Sequence, residues 1–202
     1  MIGEGIRSLL SECADLEYCG RVNNVTQALK YIRESAPDVL IAEMSLDGGH
    51  GLDLLKRVQN LPDGPRVLVF SSQDEAIYAE RCVRAGALGY VSKTEGRHML
   101  VDAIRSVVAG RVWLSSSMQE RLVEVAVQRH SPQHAPPLER LSDRELAVLE
   151  LVGHGLPPRE IAARLKISVK TVHSHREHMK QKLNLKSSGE LNIFAAEQML
   201  EH

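Results

Sequence analysis

Short apolar runs alternate with amphipathic stretches along the first half of the chain. Runs such as Asp38–Glu43 (DVLIAE) and Arg66–Ser71 (RVLVFS) are nearly continuous in apolar residues, which is typical of strands buried on both faces of a parallel sheet. The stretches between them repeat apolar residues at helical spacing. This alternation predicts an α/β domain with helices on both faces of the sheet. Helices are predicted at Glu4–Glu12, Val25–Ser35, Gly51–Gln59, Asp74–Ala85 and Gly96–Ala109, and strands at Glu17–Val22, Asp38–Glu43, Arg66–Ser71 and Leu88–Ser92.

The stretch from Leu141 to Leu183 instead carries three helical patterns separated by short polar breaks. Ser142 and Glu145 have the spacing of a capping box, which predicts the start of the first helix. Pro158 suits the first turn of the second helix, and Ser168 is a good N-cap for the third. Two helices joined by a tight turn, the second of them polar and basic, predict a helix-turn-helix.

The segment between these halves has its own composition. Ser115–Arg129 shows an amphipathic helical pattern, and His130–Pro137 (HSPQHAPP) is Pro-rich and expected to be extended and mobile. We therefore expect an α/β domain over residues 1–112, a linker over 113–137 and an all-α domain over 138–200.

Charge is informative only locally. The formal net charge of -1 excludes no class of partner. Between Lys166 and Lys186, however, six Lys and Arg residues stand against Glu177 alone, which is the charge distribution expected of a helix that contacts a phosphate backbone. An ordinary solvated helix face is the alternative interpretation, and the underlying helix-turn-helix pattern argues against it.

Several classes of function lack support in the sequence. The cysteines, Cys13, Cys19 and Cys82, show no metal or redox spacing, so we expect reduced thiols and a cytoplasmic protein. No signal peptide or long apolar run indicates contact with a membrane. We expect no enzyme and no cofactor, because no nucleophile triad, phosphate-binding Gly loop or catalytic carboxylate pair is present. An H-x-H-x-x-H motif at residues 173–178 places only His175 and His178 on one helix face, and without a nearby Cys or carboxylate we expect no metal site.

The C-terminal motifs are specific enough to compare with a known family. They are LS-x-RE at Leu141–Glu145, EIA at Glu160–Ala162, IS-x-KTV at Ile167–Val172, His175, and KL at Lys182–Leu183. Together they resemble the LuxR-type DNA-binding domain of NarL/FixJ-type response regulators. The resemblance implies that the third helix lies in the major groove of double-stranded DNA, with the second helix across the backbone.

The same resemblance implies a role for individual side chains. By family position, His173, Ser174 and Glu177 face base edges, where a glutamate accepts a hydrogen bond from cytosine N4. The other implied DNA contacts, mostly to phosphates, are Lys170, Thr171, Lys180, Lys182 and Lys186. With about four basic contacts per subunit of a dimer, log affinity is expected to fall with log salt at a slope of about -7.

The last helix, expected at Ser187–Leu200, forms the dimer contact on DNA in this family, which pairs half-sites about one turn apart. The resemblance therefore implies that Leu191, Ile193 and Phe194 mediate a homodimer. An equally open alternative is that Leu191 and Phe194 fill the core of their own domain.

The first half resembles the receiver domain of the same regulators through PDVLI at Pro37–Ile41, Gly51–Leu52, VLVFS ending at Ser71, and RAGALGYVSK at Arg84–Lys93. A receiver takes a phosphoryl group on an aspartate after its third strand. An acidic pair after its first strand helps that aspartate to hold Mg²⁺. The resemblance places Ser71, Tyr90 and Lys93 at the hydroxyl, aromatic and lysine positions that respond to the phosphate.

The receiver pattern is incomplete in two respects. Glu43 stands at the phosphoacceptor position, and the sequence begins inside the first helix, so strand one and its acidic pair are absent. Such a site is not expected to hold Mg²⁺, and we predict that aspartyl phosphorylation does not switch this chain. Glu43 either mimics the phosphorylated state by reaching toward Ser71 and Lys93, or is only a salt-bridged or solvated carboxylate.

The expected fold is thus a flavodoxin-like receiver that lacks strand one, followed by a helix-turn-helix domain. In the receiver order 2-1-3-4-5 the first strand is central, so its loss leaves open edges. We expect strand two to move alongside strand three, or the domain to dimerise through rearranged elements. A third alternative is a natural start upstream of this sequence.

Two functions follow from these features. The first is a DNA-binding transcriptional regulator that acts as a dimer without control by phosphorylation. The alternative is an adaptor that sequesters a related regulator through protein contacts at its receiver domain.

Overall fold

This computed structural model of the chain describes residues 2–46, 49–127 and 136–200. Apart from residues 49–50, the chain divides into two compact units between Ser116 and Ser117. Before that division the elements are α1 (Ile2–Ser11), α2 (Val25–Ser35), β1 (Val39–Ala42), β2 (Ser45–Leu46), β3 (Gly49–His50), α3 (Gly51–Gln59), β4 (Arg66–Ser71), α4 (Glu75–Arg84), β5 (Ala87–Ser92) and α5 (Arg97–Val108). The predicted helices and the last three predicted strands agree with these bounds to within two residues.

A three-stranded parallel sheet in the order β1-β4-β5 forms the centre of the first unit. Its strands are apolar because helices cover both faces, so that Leu68 and Val69, which point to opposite faces, are both fully buried. On the Leu68 side, Leu10 of α1 and Leu100 of α5 join one hydrophobic cluster. The prediction of a parallel α/β domain is confirmed.

The outer edge of β1 differs from the prediction. Glu17–Val22 does not form a strand, and among the described residues only β4 pairs with β1. The expected repair, in which strand two pairs beside strand three, is therefore wrong. The phenol of Tyr31 donates a hydrogen bond to the carbonyl of Cys19, and a groove of about 370 Å³ lies between this segment and β1. A segment held away from the sheet edge has no ladder partner and cannot become a strand.

The predicted end of the first domain at residue 112 lies too early. The amide of Trp113 donates to the carbonyl of Leu88, and the amide of Tyr90 donates to the carbonyl of Trp113, both at 2.9 Å. Trp113 therefore extends the sheet beside β5 and belongs to the first unit. The predicted linker helix is present as α6 (Ser116–Val127). Residues 128–135, which include most of the Pro-rich segment, lie outside the described residues.

The second unit is helical. After a 3-10 turn at Pro137–Arg140 its helices are α7 (Asp143–Gly153), α8 (Pro158–Leu165), α9 (Val169–Leu183) and α10 (Ser188–Leu200). The predicted capping box of Ser142 and Glu145 is formed, and the Ser168 hydroxyl accepts from the amide of Thr171 at 3.0 Å. Helices α8 and α9 and the turn between them form the predicted helix-turn-helix.

The core of this unit comes from four helices. Leu149, Ile161, Met179 and Leu191 are at most 1% exposed, and each belongs to a different helix from α7 to α10. Helix α9 thus contributes a buried face to the unit and leaves its remaining circumference at the surface. Across the described residues, no helix is both long enough and apolar enough to cross a bilayer.

Candidate functional site

Helix α9 presents a polar stripe on its surface. Lys170, His173, Ser174 and Glu177 are all exposed and fall within an arc of about 100° around the helix axis. Val172, on the far side of the helix from this stripe, is fully buried. The structure therefore brings the three residues predicted to face base edges onto one accessible surface, together with one of the predicted phosphate contacts.

The remaining predicted DNA contacts differ in what they touch. Lys186 is exposed, whereas the Lys180 ammonium lies 2.9 Å from the carboxylate of Glu177. The Lys182 ammonium donates to Glu145 at 2.6 Å, and the half-buried Thr171 hydroxyl lies 2.7 Å from that of Ser168. Lys170 and Lys186 thus offer their charge at the surface, while Lys180 and Lys182 already have carboxylate partners.

The sequence pattern identified Glu145 only as part of the capping box, and the structure adds a contact with Lys182 of α9. Its side chain is only 4% exposed. One carboxylate oxygen accepts from the Ser142 amide at 2.7 Å, the Ser142 hydroxyl at 2.9 Å and the Lys182 ammonium. Burial raises the pKa of Glu145, but the hydrogen bonds from Lys182 and Ser142 outweigh it and hold the pKa below its usual value. This carboxylate therefore fastens α9 to the start of α7.

The same carboxylate adjoins two histidines of α9. Glu145, His175 and His178 each offer a ligand atom, and these atoms lie within 4.8 Å of one another. Among the described residues this is the group whose spacing could hold a metal ion. Motif spacing did not reveal the carboxylate partner, because it lies thirty residues before His175 in the chain.

The receiver positions of the first unit also meet in space. One oxygen of Glu43 accepts from the Ser71 hydroxyl at 2.6 Å and from the Met44 amide at 2.7 Å. The other oxygen forms an ion pair with Lys93. The Lys93 amide donates to the Ser71 carbonyl at 2.8 Å, which fixes the ends of β4 and β5 relative to each other. The carboxylate thus joins the ends of three parallel strands.

Tyr90 completes this site from the interior. Its ring is buried and its hydroxyl donates to the Gln73 carbonyl at 2.7 Å. Burial raises the pKa of Tyr90 and lowers that of Lys93. Glu43 therefore reaches both Ser71 and Lys93, as the mimic interpretation requires, and it is also salt-bridged, as the alternative requires.

The predicted dimer residues divide into three environments. Leu191 is fully buried, so its predicted role in a dimer contact is wrong and it serves as a core residue of its own unit. Phe194 is half-buried. Ile193 is 61% exposed, which is unusual for an isoleucine and leaves it available to a partner.

Comparison with known proteins agrees with this division of the chain. The family described as response regulator receiver domain matches residues 1–105, and the bacterial regulatory proteins of the luxR family match residues 139–195. The oxygen regulatory protein NreC of Staphylococcus carnosus is 32% identical over 206 residues, covering 99% of this chain and 94% of NreC.

Solved structures share the two-unit architecture. RcsB from Salmonella enterica serovar Typhimurium, bound to promoter P1flhDC in the presence of phosphomimetic BeF3-, has a TM-score of 0.70 and 22% identity, covering 97% of this chain and 93% of RcsB. A structure of two RcsB dimers bound to two parallel DNAs has a TM-score of 0.55 and 21% identity, covering 96% and 92%.

The relatives do not favour the adaptor alternative, because the matched luxR family consists of regulatory proteins and NreC is matched over nearly its whole length. The resemblance seen in the sequence is confirmed by the family matches to both halves of the chain. The chain belongs to the response regulators that join a receiver domain to a luxR-family domain, and it is a DNA-binding transcriptional regulator of that type.

Proposed function

We propose that this regulator binds double-stranded DNA as a homodimer and that Glu43, rather than a phosphorylated aspartate, sets the state of its receiver domain. The observation that carries the DNA-binding mode is the exposed stripe of α9. A folded helix whose base-facing candidates share one surface, flanked by exposed lysines, has the form required to enter a major groove.

The stripe and the nearby Lys186 divide into groups with different tasks. Lys170 in the first turn of α9 and Lys186 in the loop after α9 are exposed, and they suit phosphate contacts that supply affinity without sequence preference. His173, Ser174 and Glu177 suit contacts with base edges. Glu177 is paired with Lys180 at 2.9 Å, so reading a cytosine requires that pair to open or to share the carboxylate.

Glu43 supports independence from phosphorylation by its chemistry and its contacts. Aspartyl phosphorylation requires an aspartate, and here a glutamate follows β1. Its two oxygens already engage the Ser71 hydroxyl and the Lys93 ammonium. A permanent negative charge held between a hydroxyl and a lysine reproduces the contacts that a phosphoryl group would make, and thereby biases the domain toward one packing.

Dimerisation rests on α10. Ile193 exposes most of its side chain, and two copies of α10 packed about a two-fold axis would bury it. The structure of two RcsB dimers on DNA provides a precedent in a protein of the same fold. A dimer places two copies of α9 on half-sites about one helical turn apart.

Selection from random-sequence duplexes with full-length protein tests the DNA-binding mode. We expect enrichment of a two-fold symmetric site with half-sites about ten base pairs apart. An adaptor would enrich no site, and failure of enrichment at low salt would overturn the proposal.

Glu43→Gln tests the receiver bias. Gln keeps the length of the side chain and can still accept from Ser71, but it removes the charge that faces Lys93. We expect a smaller dimer fraction in analytical ultracentrifugation and weaker DNA binding. Glu34→Gln, at an exposed position of α2, is the matched control. Unchanged assembly and affinity in Glu43→Gln would overturn the bias, and labelling of wild-type protein by acetyl phosphate would overturn independence from phosphorylation.

A further inference from the structure

We propose that Glu145, His175 and His178 form a binding site for a borderline divalent cation of the Zn²⁺ class on the side of α9 that faces α7. The three ligand atoms come from two helices and lie within 4.8 Å of one another. In the sequence, no carboxylate was recognised as a partner for the histidine motif. The fold supplies one from the start of α7.

The two oxygens of Glu145 have separate roles. One oxygen takes the hydrogen bonds from Ser142 and Lys182. The other faces Nδ1 of His178 at 3.9 Å. A metal can therefore bind the second oxygen while the capping box remains intact, and the hydrogen bonds on the first oxygen hold the carboxylate in place, as outer-shell partners do in metal sites.

The two histidines have the spacing that a shared metal ion needs. His175 and His178 are three residues apart on one helix, so their rings project from neighbouring positions of one face. The side chain of His178 is 60% exposed, so its ring is free to rotate toward Glu145.

Bond lengths decide how much movement the site requires. Zinc binds imidazole nitrogen and carboxylate oxygen at about 2.0–2.2 Å in a tetrahedral arrangement, which places ligand atoms about 3.4 Å apart. The separation of 3.9 Å between His178 and Glu145 must therefore shorten by about half an ångström. The distances to His175, which the 4.8 Å limit bounds, must shorten by up to about 1.4 Å, which requires rotamer changes of both rings. Two imidazoles and one carboxylate favour Zn²⁺ or Co²⁺ over Mg²⁺ or Ca²⁺ and leave one position for water.

Nearby cations set the expected affinity. The positive charges of Arg144 and Lys182 act on His175, and they oppose the entry of a dication. Lys182→Met removes one of them while keeping much of the length of the side chain. We expect this variant to bind the metal about tenfold more tightly than wild type, because the ammonium charge that repels the dication is removed, while the hydrogen bonds from Ser142 still hold the carboxylate.

Titration of full-length, untagged protein with Co²⁺, followed by visible absorption and by displacement with Zn²⁺, tests the site. We expect one Co²⁺ per chain, weakened at least ~100-fold in His178→Ala and unchanged in His173→Ala, whose histidine is exposed on the DNA-facing stripe. Alkylation of Cys13, Cys19 and Cys82 beforehand excludes binding by thiols. Zn²⁺ should also raise the melting temperature of wild type and leave that of His178→Ala unchanged.

Two results would overturn the site: absence of saturable binding in wild type, or equal loss of binding in His173→Ala and His178→Ala. Because His178 is exposed, its variant should fold, and circular dichroism of both variants checks this. Neither result bears on the DNA-binding stripe, which uses a different face of α9.

Discussion

The salt dependence of DNA binding should separate Lys170 from Lys182, although both lie on the same basic helix. Lys170 is exposed on the polar stripe of α9 that we propose to face DNA, whereas the Lys182 ammonium is held by Glu145 at 2.6 Å. Each phosphate that a lysine neutralises contributes about 0.9 to the slope of log affinity against log salt. Lys170→Gln leaves two phosphates of a dimer complex without their lysines, so its slope should be shallower by about 1.8, which reduces the fall in affinity between about 50 and 200 mM salt about tenfold.

Lys182→Gln should leave the slope within about 0.5 of wild type and should instead destabilise the second unit. It deprives a buried carboxylate of a charged partner, and since Lys182 is itself 40% exposed we expect a cost of only about 1–2 kcal/mol. Lys180 and Lys182 both have carboxylate partners. If only Lys170 and Lys186 of each subunit contact phosphates, the wild-type slope is about -4 rather than the sequence-based value of about -7.

Fluorescence anisotropy of a labelled duplex across a series of KCl concentrations measures the slopes, and urea denaturation measures the free energy of unfolding. Equal flattening of the slope by both substitutions, with no loss of stability in Lys182→Gln, would refute this reasoning. It would mean that Lys182 leaves Glu145 when DNA binds.

Three further predictions concern the second unit. Ser168→Ala removes the N-cap of α9 and should cost about 1 kcal/mol of stability in urea denaturation, while Ser168→Asp should retain most of it. Leu191→Ala should lower the free energy of unfolding by about 2–5 kcal/mol. Ile193→Asp should leave that free energy within about 0.5 kcal/mol of wild type and weaken only the dimer in sedimentation experiments. Equal destabilisation by both substitutions would contradict the placement of Ile193 at the surface. Because the fold lowers the pKa of Glu145, the ionised carboxylate stabilises the fold at pH values above 4.5, its usual pKa. This stabilisation should be lost as the pH falls through the lowered pKa, so unfolding monitored by circular dichroism should become easier. An unchanged acid limb of the unfolding profile in Glu145→Gln would count against this origin.

The sequence predicted most of the elements because they depend on local patterns. Continuous apolar runs identified β4 and β5, and capping residues such as Ser142 and Ser168 marked the starts of α7 and α9. Glu17–Val22 was mispredicted as a strand because a strand depends on a neighbour, and no local pattern shows whether the edge of β1 is reachable.

Long-range contacts account for what the sequence missed at the candidate site. Helical periodicity explains why the residues at the family positions share one exposed face of α9, and their contact with DNA stays a prediction. The engagement of Lys182 by Glu145 spans thirty-seven residues, and the same fold brings Glu145 to His178. Neither contact has a signature in the spacing of the sequence.

In each unit of this regulator, one glutamate carboxylate accepts hydrogen bonds from a hydroxyl and from a lysine ammonium. Glu145 is 4% exposed, so removing its charge leaves buried donors unsatisfied and should unfold the local structure before it alters binding. Glu43 is 27% exposed and its partner Lys93 is 21% exposed, so water can replace either partner at modest cost. Only the carboxylate whose contacts can be exchanged without unfolding can bias one packing against another. The same pair of contacts therefore anchors α9 in the second unit, and in the first unit it is suited to set the state of the receiver.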